Sequence, residues 1–239
     1  MSTVFVGKTV AENDEKAREK GGVAAVDRAL TLLAALVDAA APLSLAELSR
    51  RSGFYKSTVL RLMESLERGN LVTRLQDTSY TLGPMAWRLG NAFERSNDLT
   101  ALVTPVLEGL VAKGTESASF HVPFDTRSRL CLLRVDSAHS TLDSVRQGQV
   151  LPLVGAAGTI IRNVREHGPA EYLHRELRSF GERDASCAGV ARAVFGPGDR
   201  LLGVLSLSGP IERFTDEAVE RMGGLLNEAV ADLSRKLGR

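Results

Sequence analysis

The stretch Ser44-Leu45-Ala46-Glu47-Leu48-Ser49-Arg50-Arg51-Ser52-Gly53-Phe54-Tyr55-Lys56-Ser57-Thr58-Val59-Leu60-Arg61-Leu62-Met63-Glu64-Ser65-Leu66 decides the fold of the first part of the chain. Ser44 and Glu47 stand three residues apart, the spacing of a capping box, and Leu45 and Leu48 supply the apolar positions of a short helix to about Arg51. Ser52-Gly53-Phe54 breaks that helix. From about Tyr55 to Arg68 the apolar residues Val59, Leu62, Met63 and Leu66 recur at helical period, and Gly69-Asn70 is a C-cap signal. Two helices joined by a tight glycine turn make a helix-turn-helix, in which the second helix has one face to bury and one to offer.

Upstream, Val26, Leu30, Leu33 and Val37 fall at i, i+4, i+7 and i+11, the stripe of a preceding amphipathic helix. Downstream, Leu71 to Arg74 and Ser79 to Leu82 read as two short strands around a turn that holds Asp77, a β-hairpin wing. Pro84 then opens a helix with Met85, Leu89, Ala92 and Phe93 on one face, and Leu99, Leu102, Val103, Val106, Leu107 and Leu110 mark another that ends near Gly114. Beyond it the pattern mixes strands (117–124, 130–135, 141–147, 190–195 and 201–207) with helices (156–166, 170–179 and a long one capped by Thr215). Gly196-Pro197-Gly198-Asp199 is a turn between two of the strands and not a phosphate cradle. The expected architecture is α+β in two domains: a mobile tail over 1–21, a winged helix-turn-helix over 22–83, a helical connector over 84–114 and a C-terminal α/β domain over 115–239.

The 239 residues, with 44% hydrophobic and 25% charged side chains, fit a folded chain with a real core, and no repeat of solenoid length occurs. The longest uncharged apolar runs fall short of the roughly 20 residues a membrane helix needs, and the N-terminus has no signal-peptide pattern, so no membrane partner and a cytoplasmic location are expected. Two cysteines, Cys131 and Cys187, without CxxC spacing indicate neither a disulfide framework nor a thiolate metal site and read as core. A net charge of +1 means that nucleic acid, if bound, meets a local patch.

That patch is legible. Lys56, Ser57, Thr58 and Arg61 lie opposite the apolar stripe of the second helix, near an N-terminus whose amides favour a phosphate. Donors on such a face can meet phosphates and base edges of duplex DNA. Arg50 and Arg51 are phosphate-anchor candidates and Arg74 a wing contact, while Ser44 and Tyr55, at the helix entrances, complete the candidate DNA-binding set. A plain scaffold with scattered arginines is the competing reading.

The segments Ala25-Val26-Asp27-Arg28-Ala29-Leu30, Ser44 to Leu48, Ser52-Gly53, Lys56 to Val59, Arg61-Leu62 and Tyr80-Thr81-Leu82-Gly83 resemble the IclR family of bacterial transcriptional regulators. Leu205-Ser206-Leu207-Ser208-Gly209-Pro210 with Arg213-Phe214 is similar to that family's effector-domain signature. The resemblance covers nearly everything after about residue 22. It implies a winged helix joined by a helix to a GAF-like effector domain, acting as a homodimer or homotetramer on double-stranded palindromic operator DNA, with small organic acids or aromatic catabolites as effectors and no cofactor.

The residues allow a physical version of the effector site. Gly155-Ala156-Ala157-Gly158-Thr159 opens a helix with small side chains, so its amides can face a carboxylate. Ser206 and Ser208 alternate on a strand and share a face. The expected effector-binding set is Ala157, Gly158, Ser206 and Ser208, with Ser179 and Gly189 added by position from the family. The chain departs from the family at Thr159-Ile160, where Gly-Lys is usual, and at Tyr55, where many members have Pro. At Ser179 and Gly189 some relatives carry an acidic and a sulfur side chain, so a less polar, roomier cavity and a larger or aromatic acid are expected. Arg146 reads as surface charge and His121 as a satisfied rim residue, each with a ligand contact as the alternative.

Enzyme signatures are missing: no Gly-x-Ser-x-Gly elbow, Walker loop, zinc-protease motif or dinucleotide fingerprint occurs. His167 and His174 lack partners spaced as metal ligands and read as a solvated face with Glu166 and Glu176; Trp87 reads as core. The expectation is a regulator and not an enzyme, without metal. Its rivals are a regulator whose C-terminal half only oligomerises, and an enzyme built on that half.

Overall fold

The computed structural model describes residues 22–96, 98–139 and 143–237, in two compact units, one ending at Ser96 and one made of the described residues after it. The expected tail over 1–21 lies outside the described residues.

The first unit holds α1 (Ala24–Val37), α2 (Leu45–Ser52), α3 (Lys56–Arg68), β1 (Val72–Arg74), β2 (Tyr80–Leu82) and α4 (Pro84–Ser96). Leu32 of α1, Leu48 of α2, and Val59 and Met63 of α3 are all at 0% exposure and meet in one core. Each such burial stabilises by about 1.5–3 kcal/mol. Gly53 closes α2 with φ +72°, a left-handed conformation that lets the chain turn at once into α3. The β1/β2 hairpin is antiparallel, and Leu43 extends it by exchanging backbone hydrogen bonds of 2.9 and 2.8 Å with Tyr80, which fixes the wing against the α1–α2 loop.

Two apolar stripes fall elsewhere than the sequence pattern suggests. On α1 the buried residues are Leu32 and Leu36, whereas Val26, Leu30 and Val37 are 54%, 57% and 60% exposed. The helix carries two overlapping stripes, and only its packing against α2 and α3 selects one. On α4, Leu89 and Phe93 are exposed, and Trp87, expected in the core, is 73% exposed.

The second unit holds α5 (Asp98–Ala112), β3 (Ser117–Pro123), β4 (Ser128–Val135), β5 (Val150–Pro152), α6 (Gly155–His167), β6 (Glu176–Phe180), β7 (Cys187–Phe195), β8 (Leu201–Pro210) and α7 (Asp216–Lys236). Its six strands form one antiparallel sheet in the order β5-β4-β3-β8-β7-β6. One face, carrying Ala118, Phe120, Leu205 and Leu207, packs on α5 and α7; the other, carrying Ala191, Ala193 and Val204, packs on α6. Because side chains alternate across a strand, Ser206 and Ser208 are turned to the α6 side by the burial of Leu205 and Leu207 on the other. Val103, Leu107 and Leu110 of α5 belong to the second unit's core, so the stretch 84–114 divides between the units.

Two expected elements differ. Residues 143–147 of the expected strand 141–147 are not extended pairing; the strand begins at Val150, after a turn at Gly148 with φ +81°, and 141–142 lie outside the described residues. The expected helix over 170–179 is a single turn, Ala170–Tyr172, followed by β6. Gly168-Pro169 stops α6, and pairing with the edge of β7 overrides the helical spacing of Leu173 and Leu177.

Candidate nucleic-acid interface and ligand cavity

In the first unit, burial of Val59 and Met63 turns the opposite face of α3 outward. Lys56, Ser57 and Arg61 are exposed and Thr58 is half-buried. Ser57, Thr58 and Arg61 share the wall of a concavity with Arg28 of α1 and Arg68 at the end of α3. Neither Arg28 nor Arg68 is in the candidate set read from the sequence; only the packing of α1 beside α3 brings Arg28 to that face, where its guanidinium lies 6.0 Å from the Phe54 ring centre. Tyr55 caps the start of α3 without a side-chain bond and is 85% exposed. Arg74 is exposed on the wing, 5.9 Å from the Tyr80 ring centre.

The α2 candidates are more engaged. The Ser44 hydroxyl accepts from the Glu47 N–H at 3.2 Å, so it caps α2. The reciprocal half of the capping box is absent from the bonds of Glu47, whose carboxylate instead accepts from Arg50 (2.9 and 2.6 Å) and Arg51 (2.7 Å). These bonds to two arginines hold the Glu47 carboxyl down at about 2. Arg50 and Arg51 thus share one anion, and their pull on a phosphate is reduced by it.

In the second unit a small cavity lies under the N-terminus of α6. Ala157, Ser179, Gly189, Ser206 and Ser208 line it, joined by Ala156, His121, Arg129, Asp143, Glu182, Arg183 and Cys187. Register explains the convergence: Ser179 pairs with Gly189 and Gly189 with Ser208, while Ser119 pairs with Ser206 one step along the sheet. Gly158 is not on the wall; it sits behind it, where a Cβ would come within 2.5 Å of both Arg129 Nη1 and the Leu153 carbonyl carbon. Cys187, expected as core, is half-exposed on the cavity wall, whereas Cys131 is buried and its thiol is pushed up to about 11 by that burial.

The cavity is small and its wall carries charge. Its free volume is about 40 Å³, space for a few waters, and two arginines, two carboxylates and a histidine stand on its wall. Arg129 is only 4% exposed; its Nη1 donates to the carbonyls of Pro152 and, at 2.9 Å, Val154. Among the described residues it has no carboxylate partner, and burial, with Arg183 nearby, brings its pKa down to about 10. Arg183 pairs with Asp143 at 3.4 Å, and Asp143 pairs in turn with Arg134 at 2.7 Å. The first-turn amides of α6 have no side-chain cap. A cation without a counter-ion beside free helix amides is an environment suited to an anion.

His121 is not the satisfied rim residue expected. It is 3% exposed, its Nε2 lies 3.0 Å from the Ser119 hydroxyl, and its Nδ1 has no partner among the described residues. Burial, and after it the fields of Arg129, Arg134 and Arg183, hold it well below the usual histidine pKa, hence neutral. Arg146 is exposed and lines no part of the cavity. His167 ends α6 while His174 follows the next turn, so they share no helix face; among the described residues no cluster of potential metal ligands occurs.

Comparison with known proteins agrees with both halves. Residues 25–76 match the IclR helix-turn-helix domain. The chain is 23% identical to the transcriptional repressor IclR of Escherichia coli K12 over 250 residues, covering 91% of each chain. Its fold is similar to that of an IclR transcriptional regulator of Alicyclobacillus acidocaldarius, with TM-score 0.75 and 24% identity over 90% of this chain and 98% of that one. It is also similar to an IclR homologue of Microbacterium hydrocarbonoxydans solved in complex with 4-hydroxybenzoate, with TM-score 0.73 and 17% identity over 90% and 99%.

Proposed function

Because this chain belongs to the IclR family of transcriptional regulators, we propose that it binds a palindromic operator as a dimer or higher homo-oligomer and answers to a small organic acid held in the α6 cavity. The recognition helix is α3. Lys56, Ser57, Thr58 and Arg61 enter the major groove, while Arg28, Arg68 and Arg74 take phosphates. Tyr55 adds a contact at the helix entrance, and Ser44, Arg50 and Arg51 act mainly by shaping α2. The second unit has no catalytic task and needs no cofactor. The protein works in the cytoplasm, and no described helix is long and apolar enough to cross a membrane.

One observation carries the effector reading: Arg129, buried and without a carboxylate partner among the described residues, beside uncapped amides of α6. The ligand's carboxylate sits there, with Ala157 supplying backbone and Ser179, Ser206 and Ser208 supplying hydroxyls, and Gly158 and Gly189 leaving room for the wall to close. The convergence of these groups favours an effector site over a purely oligomerising C-terminal half. The relative bound to 4-hydroxybenzoate supports an organic acid as the class; the free volume here suits an acid of a few heavy atoms, and an aromatic one requires the cavity to widen. Effector binding changes operator affinity by the difference in its affinity for the two arrangements of the oligomer.

The test uses the full chain and a duplex recovered by in-vitro selection. An inverted repeat is expected, and Arg61→Ala weakens binding by roughly tenfold to a hundredfold without moving the melting temperature. A panel of carboxylates raises the melting temperature of the parent protein but not of Arg129→Gln. A selected site without symmetry overturns the dimer reading, and equal shifts in parent and variant overturn the anion site.

A further inference from the structure

A carboxylate anchored at Arg129 and the α6 amides leaves one group of the cavity unexplained. His121 enters on β3 two residues after Ser119, so strand alternation sets both side chains on the same face. The Ser119 hydroxyl lies 3.0 Å from His121 Nε2 and 3.4 Å from the Ser206 carbonyl; with its proton directed to that carbonyl it accepts from Nε2, and the ring proton is assigned there on that ground. A neutral ring protonated at Nε2 presents Nδ1 as a bare acceptor. That atom is buried and has no partner among the described residues. Leaving a buried acceptor unpaired is unfavourable, and such groups are rare enough to ask for a reason. Carboxylate oxygens are themselves acceptors, so the ligand's acid group does not meet this need; a hydroxyl does.

We propose that His121 Nδ1 accepts a hydrogen bond from a hydroxyl of the effector, so that the cavity selects a hydroxy-carboxylate over the same acid lacking the hydroxyl. This rests on the acid site proposed above. The two ends of the ligand are then read by opposite chemistry: donors and positive charge at the carboxylate, an uncharged acceptor at the hydroxyl. The charged groups around the ring fit this division, since Arg129, Arg134 and Arg183 oppose its protonation and, of the two carboxylates on the cavity wall, Asp143 is paired to Arg134 and Arg183 while Glu182 is the other.

Three matched pairs test the inference by calorimetry on the full chain: glycolate against acetate, lactate against propionate, and 4-hydroxybenzoate against benzoate. In at least one pair the hydroxy-acid binds roughly tenfold more tightly, and titration in two buffers of different ionisation enthalpy finds no proton taken up by the protein. His121→Leu and His121→Phe, two apolar replacements of different volume, bring the pair to within about twofold while the plain acid keeps its affinity. The comparison on the parent protein needs no variant, so a failure of either variant to fold leaves the inference exposed to refutation. Pairs that bind equally, or a preference that survives both variants, overturn it and leave the acid site standing. If none of the six acids binds, the acid site itself falls and this inference with it.

Discussion

Single residues carry most of the chemistry. His121 makes a pH prediction with a definite sign. Its pKa in the folded protein lies well below 6.5, so below that pH the unfolded chain takes up a proton that the native state refuses. Stability is therefore complete above about pH 6.5 and falls on acidification, with a slope of at most one proton, about 1.4 kcal/mol per pH unit. Urea denaturation at pH 7.5, 6 and 5 is expected to give a steeper loss for the parent than for His121→Leu, while parallel curves would mean that the ring is protonated in the fold. Arg129, whose pKa burial brings down only to about 10, keeps its charge over this range.

At the scale of elements, the α2–α3 pair separates stability from recognition. Ser44 was read from the sequence both as a cap and as a DNA contact, and its hydroxyl is bonded to the Glu47 amide. Ser44→Ala is expected to cost about 1 kcal/mol of stability, typical of a lost N-cap, with operator affinity changed by less than about threefold once the protein is folded. A melting temperature that holds while affinity drops tenfold would reassign the residue to the interface. The Gly53 turn does the geometric work between the two helices, and the Leu43–Tyr80 bridge sets the wing beside them.

For the whole molecule the telling feature is apolar surface in the first unit that its own core leaves uncovered: Val26 and Leu30 on α1, Trp87, Leu89 and Phe93 on α4. A second copy packing there would bring two α3 helices to one duplex, as a palindrome requires. Leu30→Glu, at a position 57% exposed, is expected to leave the fold intact and to lower operator affinity on the order of a hundredfold, because each half-site is then bound without the gain in effective concentration. Unchanged affinity in fluorescence anisotropy would exclude this face from the assembly.

Residue order alone specifies the helix-turn-helix, its wing, the α+β C-terminal half and the outward face of α3, because caps, glycine turns and hydrophobic period are local quantities. It misread Trp87 and the stripe of α1, since period reveals that a helix has an apolar side without saying which neighbour covers it. It also turned β6 into a helix, because edge pairing is a long-range contact. Ser206, Ser208 and Ala157 were legible as strand alternation and a small-residue helix start. Arg129 and Arg183 were not, and His121, singled out on its strand as a rim residue with a ligand contact as the alternative, gave no sign of its burial: the three come from distant parts of the chain, and only antiparallel register gathers them around one small volume, where burial changes what each of them can do.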